Sequence, residues 1–356
     1  MEDTLQSFKQ DLANLEHYVR GLELESGLIS FDKRSVGSLL RKYQKHISEA
    51  RQQRRQFNYN AIIITLYGFL EQFIESLLES YLKQINRIIP KYSQLPDSVS
   101  KNYTDLTIEF MKYLDEPIYE GLATKEDLIS DLYSCITDSE DYRINPYPFI
   151  HHTANFRFQM IERLFSNVGV GNVSGRVIKS YIFTEYLRRN DPPSVDHTTP
   201  ESALSDLNDL VKRRNEVAHG ELPNEFLDNR TILENYIPLL EVYGESLYEV
   251  VYSDVLKYQV EYNGTELGSP IGIYKQGKVI GISVEDMIVK VGDLLAAKTA
   301  NQNIPYIAGK IEELQVDNIS REEVSASTAG VDIGIHVPFR AKQNQTFFLI
   351  RKNNPR

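Results

Sequence analysis

The sequence predicts an α+β multidomain protein in which an all-α helical bundle precedes a small all-β barrel. Up to about residue 257, apolar side chains recur at three- and four-residue steps, the period of amphipathic helices. From Gln259 on, β-branched and aromatic residues alternate with polar ones, and glycines mark turns. We therefore expect a helical extension over residues 1–34, a helical domain over residues 35–257 and a β module over residues 258–356.

The predicted helices cover residues 5–19, 38–55, 59–89, 158–168, 175–189, 200–219 and 231–257. The segment 59–89 is the candidate core helix, because it has too few polar positions to be solvated all round. Thr199 is a good N-cap for the 200–219 helix, with Pro200 at its first position and Gly220 beyond its end. Pro238 is expected to kink or restart the last helix.

The predicted strands cover residues 270–274, 278–283, 288–294, 306–314, 331–337 and 346–351. Their spacing and turn residues are typical of a small barrel.

Composition excludes several classes of protein. The single cysteine, Cys135, cannot form an intrachain disulfide, and no Cys/His cluster has zinc spacing, so we expect a cytoplasmic protein without a metal or cofactor. No signal-peptide pattern opens the sequence. The apolar run over residues 61–70 is about half the length that crosses a bilayer, so no membrane span is expected.

A net charge of −11 argues against a protein that grips nucleic acid over a broad surface. A local anion site remains open, because basic residues cluster at three places. They are Arg51/Arg54/Arg55, Arg188/Arg189 and Lys212/Arg213/Arg214. The first two clusters are also typical of solvated helix faces.

Residues 212–220 set Arg214 and His219 five positions apart near a helix end. A guanidinium fits phosphate oxygens and an imidazole exchanges protons near neutral pH, a pair suited to RNA cleavage. The spacing alone is weak evidence, since Arg41 and His46 repeat it. However, Arg214 falls on the apolar stripe of its helix, where it must meet a carboxylate, a partner chain or an anionic ligand.

Asn215 and His219 are one turn apart, which would place both around one pocket with Arg214. The alternative is structural: a C-terminal histidine often caps the last carbonyls of a helix before a glycine.

Residues 207–220 resemble the signature helix of HEPN-domain ribonucleases, whose motif is arginine, a polar residue, variable residues and then histidine. Here the motif stands as Arg214-Asn215-x-x-x-His219. The wider chain, over about residues 35–257, is similar to HEPN domains of prokaryotic defence and stress proteins, including the RiboL-PSP-associated type. Glu71 and the segment 155–169 stand where such domains carry comparable elements.

The resemblance implies a metal-independent endoribonuclease in which two protomers form a composite cleft. The RNA 2′-hydroxyl would attack the adjacent phosphorus and leave 2′,3′-cyclic phosphate and 5′-hydroxyl ends. His219 would move protons, Arg214 would hold the phosphate, and Asn215 would orient both. Arg213 and Lys212 would help to bind the strand.

Three further positions are candidate supporting residues. Glu71 is expected either to pair with Arg214 or Arg213 across the bundle or to be a solvent-edge carboxylate. Asn155 and Arg157 are expected to line the cleft, although a helix cap explains Asn155 equally well. The pair His151–His152 is interpreted as loop histidines, because adjacent side chains point apart and no third metal ligand recurs nearby.

The β module resembles the second-domain barrel of translation GTPases at residues 291–293, 307–311 and 330–335. Because a barrel alone does not fix a function, a generic recognition or oligomerisation module is the alternative. The sequence thus predicts a homodimeric toxin or antiviral ribonuclease acting on tRNA or other structured RNA, in which the β module recognises a trigger, a substrate or another protein. The alternative is a non-catalytic HEPN scaffold that binds RNA, a nucleotide or a protein partner.

Overall fold

A computed structural model describes residues 1–29, 37–190, 197–221 and 225–351. Helices occupy the chain up to Asn263, and antiparallel strands follow from Gly264. The predicted α+β class, helical first and all-β last, is therefore confirmed. The predicted boundary between residues 34 and 35 lies outside the described residues.

The helices have the following bounds: α1 Glu2–Ile29, α2 Ser38–Glu49, α3 Arg51–Ile88, α4 Asp97–Phe110, α5 Lys125–Ile136, α6 Tyr147–Ile150, α7 Phe158–Asn167, α8 Val173–Ile178, α9 Tyr181–Asn190, α10 Pro200–Ala203, α11 Ser205–Ala218, α12 Asn229–Thr231 and α13 Ile237–Asn263. A π-helical turn, Ile232–Tyr236, lies between α12 and α13, and Pro238 is the second residue of α13.

The strands have the following bounds: β1 Gly264–Gly268, β2 Gly272–Tyr274, β3 Val279–Val284, β4 Met287–Lys290, β5 Leu294–Lys298, β6 Tyr306–Lys310, β7 Glu313–Val316, β8 Ile319–Arg321, β9 Glu323–Ala326, β10 Val331–His336 and β11 Thr346–Ile350.

Three predicted helices are divided in the structure. The segment 38–55 divides at Ala50, between α2 and α3. The segment 175–189 divides into α8 and α9 at Ser180, whose hydroxyl accepts a hydrogen bond from the Phe183 N–H at 3.1 Å and donates one to Ser246 at 2.9 Å. This cap starts a new helix. The segment 200–219 divides at Leu204, after a capping box in which Thr199 pairs with Ser202 as expected of an N-cap.

The described chain divides into two compact units. Unit 1 comprises Met1–Leu78, His152–Phe165 and Gly171–Tyr248, and unit 2 comprises Glu79–His151, Ser166–Val170 and Glu249–Arg356. In unit 1, the apolar stripe of α1 is buried as its periodicity predicts, and Phe8 stacks on Phe73 of α3 with ring centroids 4.4 Å apart.

Unit 2 contains all eleven strands in three antiparallel sheets, ordered β1-β11-β5-β6, β2-β3-β10-β7-β8 and β4-β9. One apolar core joins all three sheets, with Phe347, Ile335 and Val324 as examples. Within the same unit, the end of α13 packs on the first sheet, since Leu256 is buried against Ala296.

Among the described helices, α3 is the one long and apolar enough to cross a membrane by length and composition. Half of its most apolar window is buried inside the fold. Ile63, Leu66 and Leu70 are completely buried, and the carboxylates of Glu71 and Glu75 interrupt the apolar surface. These features are those of a core helix, as the sequence predicts for this segment.

The central position of α3 predicts the effect of truncating its side chains. Leu66→Ala removes a completely buried side chain and should lower the free energy of unfolding by about 2–5 kcal/mol, because it leaves a cavity. Ile64→Ala on the same helix removes a side chain that is 42% exposed and should cost less than about 1 kcal/mol. Chemical denaturation followed by circular dichroism measures both; equal losses would contradict the assignment of α3 as the core helix.

Candidate functional site

Helix α11 carries the predicted motif and packs into unit 1 by one face. Leu207 and Val211 are buried on that face, and Arg214 continues the same stripe by one turn. Asn208 on this helix accepts a hydrogen bond from the backbone N–H of Phe158 at 3.3 Å. The motif helix therefore also fixes the start of α7.

Helix α11 ends just before Gly220, as the sequence predicts. His219 is the C-cap, and Gly220 has a φ of +70°, a conformation that side chains disfavour. The Gly220 N–H donates to the Val217 carbonyl at 3.1 Å, and the Glu221 N–H donates to the Glu216 carbonyl at 2.9 Å. This pair of bonds is the Schellman motif, which satisfies the last carbonyls of the helix.

The guanidinium of Arg214 is half-buried and held by neutral groups. Its Nη1 donates to Oδ1 of Asn155 at 3.0 Å and to Oδ1 of Asn215 at 3.3 Å. Its Cζ lies 4.7 Å from the centroid of the Tyr67 ring, within the range of a cation–π interaction. Arg214 thereby connects α11 with α3 and with the segment that leads into α7.

Within the described ranges, Arg214 forms no ion pair with a carboxylate. Its neighbour Arg213 differs, because its Nε donates to Asp209 at 2.5 Å and its Nη1 donates to the Tyr59 hydroxyl at 3.1 Å and the Glu225 carbonyl at 3.0 Å. The charge of Arg213 is thus compensated inside the fold. The charge of Arg214 is left to attract an anion.

Some of the other basic side chains in the three clusters have acidic partners. Lys212 is exposed and lies 3.8 Å from Glu216 on the next turn. Arg54 and Arg188 each form an ion pair with a glutamate. Arg213 therefore has a structural role, and Lys212 lies on the solvent face beside the candidate site.

His219 lies at the exposed end of α11, one turn beyond Asn215. Its backbone N–H donates to the Asn215 carbonyl at 3.0 Å. Its imidazole makes no hydrogen bond with any residue that the structure describes. The structure thus joins Arg214 and Asn215 directly and places His219 at the accessible rim, where its ring can meet a ligand or a second chain.

Tyr67 is the buried side chain whose ring supports the Arg214 guanidinium. It is 2% exposed, and its hydroxyl oxygen accepts a hydrogen bond from the Phe156 N–H at 3.2 Å. The hydroxyl lies 3.1 Å from a carboxylate oxygen of Glu71 and 3.4 Å from Oδ1 of Asn155. Burial raises the pKa of Tyr67 to about 12, so the hydroxyl keeps its proton at neutral pH and donates it to the nearer acceptor, Glu71.

The expected ion pair between Glu71 and Arg214 or Arg213 does not form. Glu71 instead accepts from Tyr67 and lies 4.0 Å from His152 Nε2. The physical reason is that Tyr67, one turn earlier on α3, places its ring under the guanidinium and turns its hydroxyl toward Glu71. Glu71 is also more than a carboxylate at the solvent edge, since its side chain is only 30% exposed and has two polar partners.

His152 continues the polar chain. Its Nε2 lies 3.0 Å from Glu75 and its Nδ1 lies 2.9 Å from the Ala154 carbonyl. Burial is the largest single effect and lowers the pKa of His152. Its lowering effect is outweighed by the combined raising effects of the Glu75 hydrogen bond and charge, the Ala154 carbonyl and the Glu71 charge. The pKa of His152 therefore lies above its ordinary value of 6.5.

The tandem histidines lie in a loop and diverge, as their adjacency predicts. His151 contacts the hydroxyl of Tyr119, whereas His152 turns to Glu75. Among the described residues, no group of three or more His, Cys, Asp or Glu side chains is arranged to hold a metal ion.

Comparison with known proteins identifies the helical region. The model of the RiboL-PSP-HEPN family matches residues 32–253, which is more than half of the chain. This chain belongs to the RiboL-PSP-HEPN family. The resemblance of the helical region to RiboL-PSP-associated HEPN domains is thus confirmed. Membership indicates a ribonuclease-type or nucleotide-binding function, and HEPN domains commonly bind RNA.

Other comparisons add no argument. No curated protein matches the chain. A crystal structure of flavohemoglobin from Malassezia yamatoensis is similar over 79% of this chain at 12% sequence identity, with a TM-score of 0.16. The match spans 64% of the flavohemoglobin chain. The likeness of the β region to translation GTPases stays a prediction.

Within the HEPN region, Asn155 and Arg157 have different surroundings. The side chain of Asn155 contacts Arg214 and Tyr67, and Asn208 supplies the cap of α7, so Asn155 is not a helix cap. Arg157 is exposed, and its backbone N–H donates to the Asn155 carbonyl at 2.8 Å. Asn155 therefore belongs to the Arg214 cluster, and Arg157 lies on the surface beside it.

Sequence reasoning missed Tyr67 and Glu75, and it interpreted His152 only as a loop histidine. One signal was present: Tyr67, Glu71 and Glu75 recur every four residues on α3, so they share a face of an otherwise apolar helix. A tyrosine at helical spacing is usually a core residue, and no pattern in the chain shows that an arginine far along the sequence lies over its ring.

The His152–Glu75 contact predicts a pH dependence. Glu75→Gln should lower the pKa of His152, whereas Glu79→Gln on the same helix, which removes a carboxylate bonded to Lys83, should leave it unchanged. NMR titration of the imidazole signals measures both; an equal response would contradict the assignment. Because the folded pKa is raised, the stabilisation by this contact is fully present below the unfolded value of about 6.5 and is lost as the pH rises through the folded pKa.

Proposed function

We propose that this protein is a metal-independent endoribonuclease. The observation that carries the proposal is the uncompensated guanidinium of Arg214, held in place by one aromatic ring and two amide oxygens. A cation that is half-buried without a carboxylate is expensive unless an anion joins it, and the planar fork of arginine fits phosphate oxygens. The HEPN family of the chain supports RNA as the source of that phosphate.

The proposed reaction transfers the phosphoryl group within the RNA. The 2′-hydroxyl oxygen attacks the adjacent phosphorus, a P–O2′ bond forms, and the P–O5′ bond breaks. The proton leaves the 2′-hydroxyl and a proton reaches the 5′-oxygen, so the products are a 2′,3′-cyclic phosphate and a 5′-hydroxyl. His219 exchanges these protons, and Arg214 stabilises the charge that develops on the phosphate oxygens.

Two copies of the chain complete the proposed site. A single protomer supplies one exposed imidazole at the end of α11, whereas the reaction needs both a base and an acid. A second copy of α11 across a dimer interface would supply the second imidazole. Asn215 holds Arg214 within its own protomer.

The wider role is proposed from the family and the composition. A cytoplasmic toxin or antiviral effector fits the HEPN region, and the β region would recognise the trigger or a partner. A non-catalytic HEPN scaffold is the second candidate, because the net charge of −11 weakens general RNA binding.

Cleavage assays distinguish the two candidates. Purified protein with total RNA or tRNA in EDTA should produce 2′,3′-cyclic phosphate ends, and Arg214→Ala and His219→Ala should each slow cleavage by about 100-fold or more. Arg20→Ala on α1, which removes an exposed arginine paired with Glu16, should change the rate by less than about 3-fold. Cleavage that needs a divalent metal, or that survives both substitutions, would contradict the proposed mechanism. Binding without cleavage would favour the scaffold.

The composite site predicts the oligomeric state. Analytical ultracentrifugation at micromolar concentration should give a dimer, and Arg214→Ala should remain dimeric because it changes the site rather than the fold. A monomer under conditions in which RNA is cleaved would remove the composite cleft.

A further inference from the structure

The ring of Tyr67 holds Arg214 in a way that a carboxylate could not. A carboxylate would fix the guanidinium and also neutralise it, whereas the face of an aromatic ring attracts a cation and leaves its net charge unchanged. The Arg214 Cζ lies 4.7 Å from the Tyr67 centroid. Arg213 on the same helix shows the contrast, since it is fixed by Asp209.

Tyr67 is itself held rigidly. It is 2% exposed on the core helix α3, and its hydroxyl is fixed between the Phe156 N–H and the Glu71 carboxylate. The Phe156 contact also fixes the loop residue Asn155, whose side-chain oxygen accepts from Arg214 at 3.0 Å. Tyr67 therefore supports the Arg214 guanidinium in two ways. The face of its ring contacts the guanidinium directly, and its hydroxyl holds the loop that positions Asn155.

The remaining donors of Arg214 are available to a ligand. Nη1 is engaged by the two amide oxygens, whereas Nε and Nη2 donate to no acceptor in the described parts of the chain. A guanidinium presents its N–H groups in a planar fork that matches two phosphate oxygens. The fork is useful only if its plane is fixed, and the Tyr67 ring is the surface that fixes it.

We propose that Tyr67 is a positioning residue that orients the uncompensated guanidinium of Arg214 toward the RNA phosphodiester. The inference rests on the proposed function and extends it, because it assigns a role to a side chain outside the motif helix. Tyr67 does not touch the substrate. It acts through Arg214 and, by way of Asn155, through the loop before α7.

The test compares three tyrosine variants. Tyr67→Leu removes the ring and should lower kcat for RNA cleavage by about 5- to 30-fold with a smaller change in KM, the range of a partly desolvated cation–π contact. Tyr67→Phe keeps the ring and should recover most of that loss. Tyr59→Leu is the matched control, because Tyr59 is a buried tyrosine on the same helix that contacts the compensated Arg213. It should leave kcat within about 3-fold of the wild type if packing alone is disturbed.

A second readout is independent of cleavage. In the folded protein, the Nε–H NMR signal of Arg214, assigned through Arg214→Lys, should exchange faster with water and lose its ring-current shift in Tyr67→Leu but keep the shift in Tyr67→Phe. If Tyr67→Leu does not fold, Asn155→Ala replaces it and should also speed the exchange and lower kcat.

The outcomes separate this inference from the proposed function. A wild-type protein that cleaves no RNA overturns the proposed function, while the NMR signal still decides whether Tyr67 orients Arg214. If the wild type cleaves RNA through Arg214 and His219, a Tyr67→Leu variant with unchanged kcat and exchange overturns the inference alone. Equal loss of kcat in Tyr67→Leu and Tyr59→Leu overturns it as well, because general damage to α3 would then explain both.

Discussion

The half-buried positive charge of Arg214 is the constraint on which the candidate site depends. Placing a guanidinium on the apolar stripe of α11 costs free energy, and the fold offsets that cost with a ring and two amide oxygens rather than with a carboxylate. This choice determines which elements must meet: α3 supplies the ring, and the segment before α7 supplies an amide. The hydroxyl on that ring bonds to Glu71, which lies 4.0 Å from His152, and His152 in turn lies 3.0 Å from Glu75.

The end of α11 divides the site into a fixed part and an accessible part. Arg214 is held on three sides, whereas His219 stands exposed at the Schellman turn that Gly220 permits. Binding a phosphate benefits from rigid donors, because little ordering entropy is then lost on contact. Proton exchange instead requires that the imidazole reach the reacting oxygens. Helix α11 thus meets both requirements, because Arg214 lies inside the fold and His219, about one turn later, lies at the surface.

The sequence revealed the features that depend on local chemistry. The N-cap at Thr199, the stop at Gly220 and the placement of Arg214 on the apolar stripe follow from neighbours within one or two turns. Contacts between segments that are distant in the sequence could not be predicted from it. Ser180 breaks a predicted helix through Ser246, and Glu71 bonds to Tyr67 and not to an arginine, because in each case the partner is chosen by packing. The roles of Arg214, Asn215 and His219 in catalysis stay predictions, while their positions are now defined.

Under the proposed function, an acidic chain whose site holds a half-buried arginine without a carboxylate partner would constrain how RNA binds. At physiological ionic strength, exposed charges are screened beyond about 8 Å, so the net charge of −11 opposes RNA mainly where acidic surface and phosphates come close. Contacts confined to the Arg214 site would neutralise few phosphates, so the salt dependence of affinity should be shallow. Selection would then come from the shape of the RNA around a single phosphodiester. Under the proposed function, a structured substrate, which presents one exposed linkage in a fixed geometry, would suit such a site better than a long flexible strand.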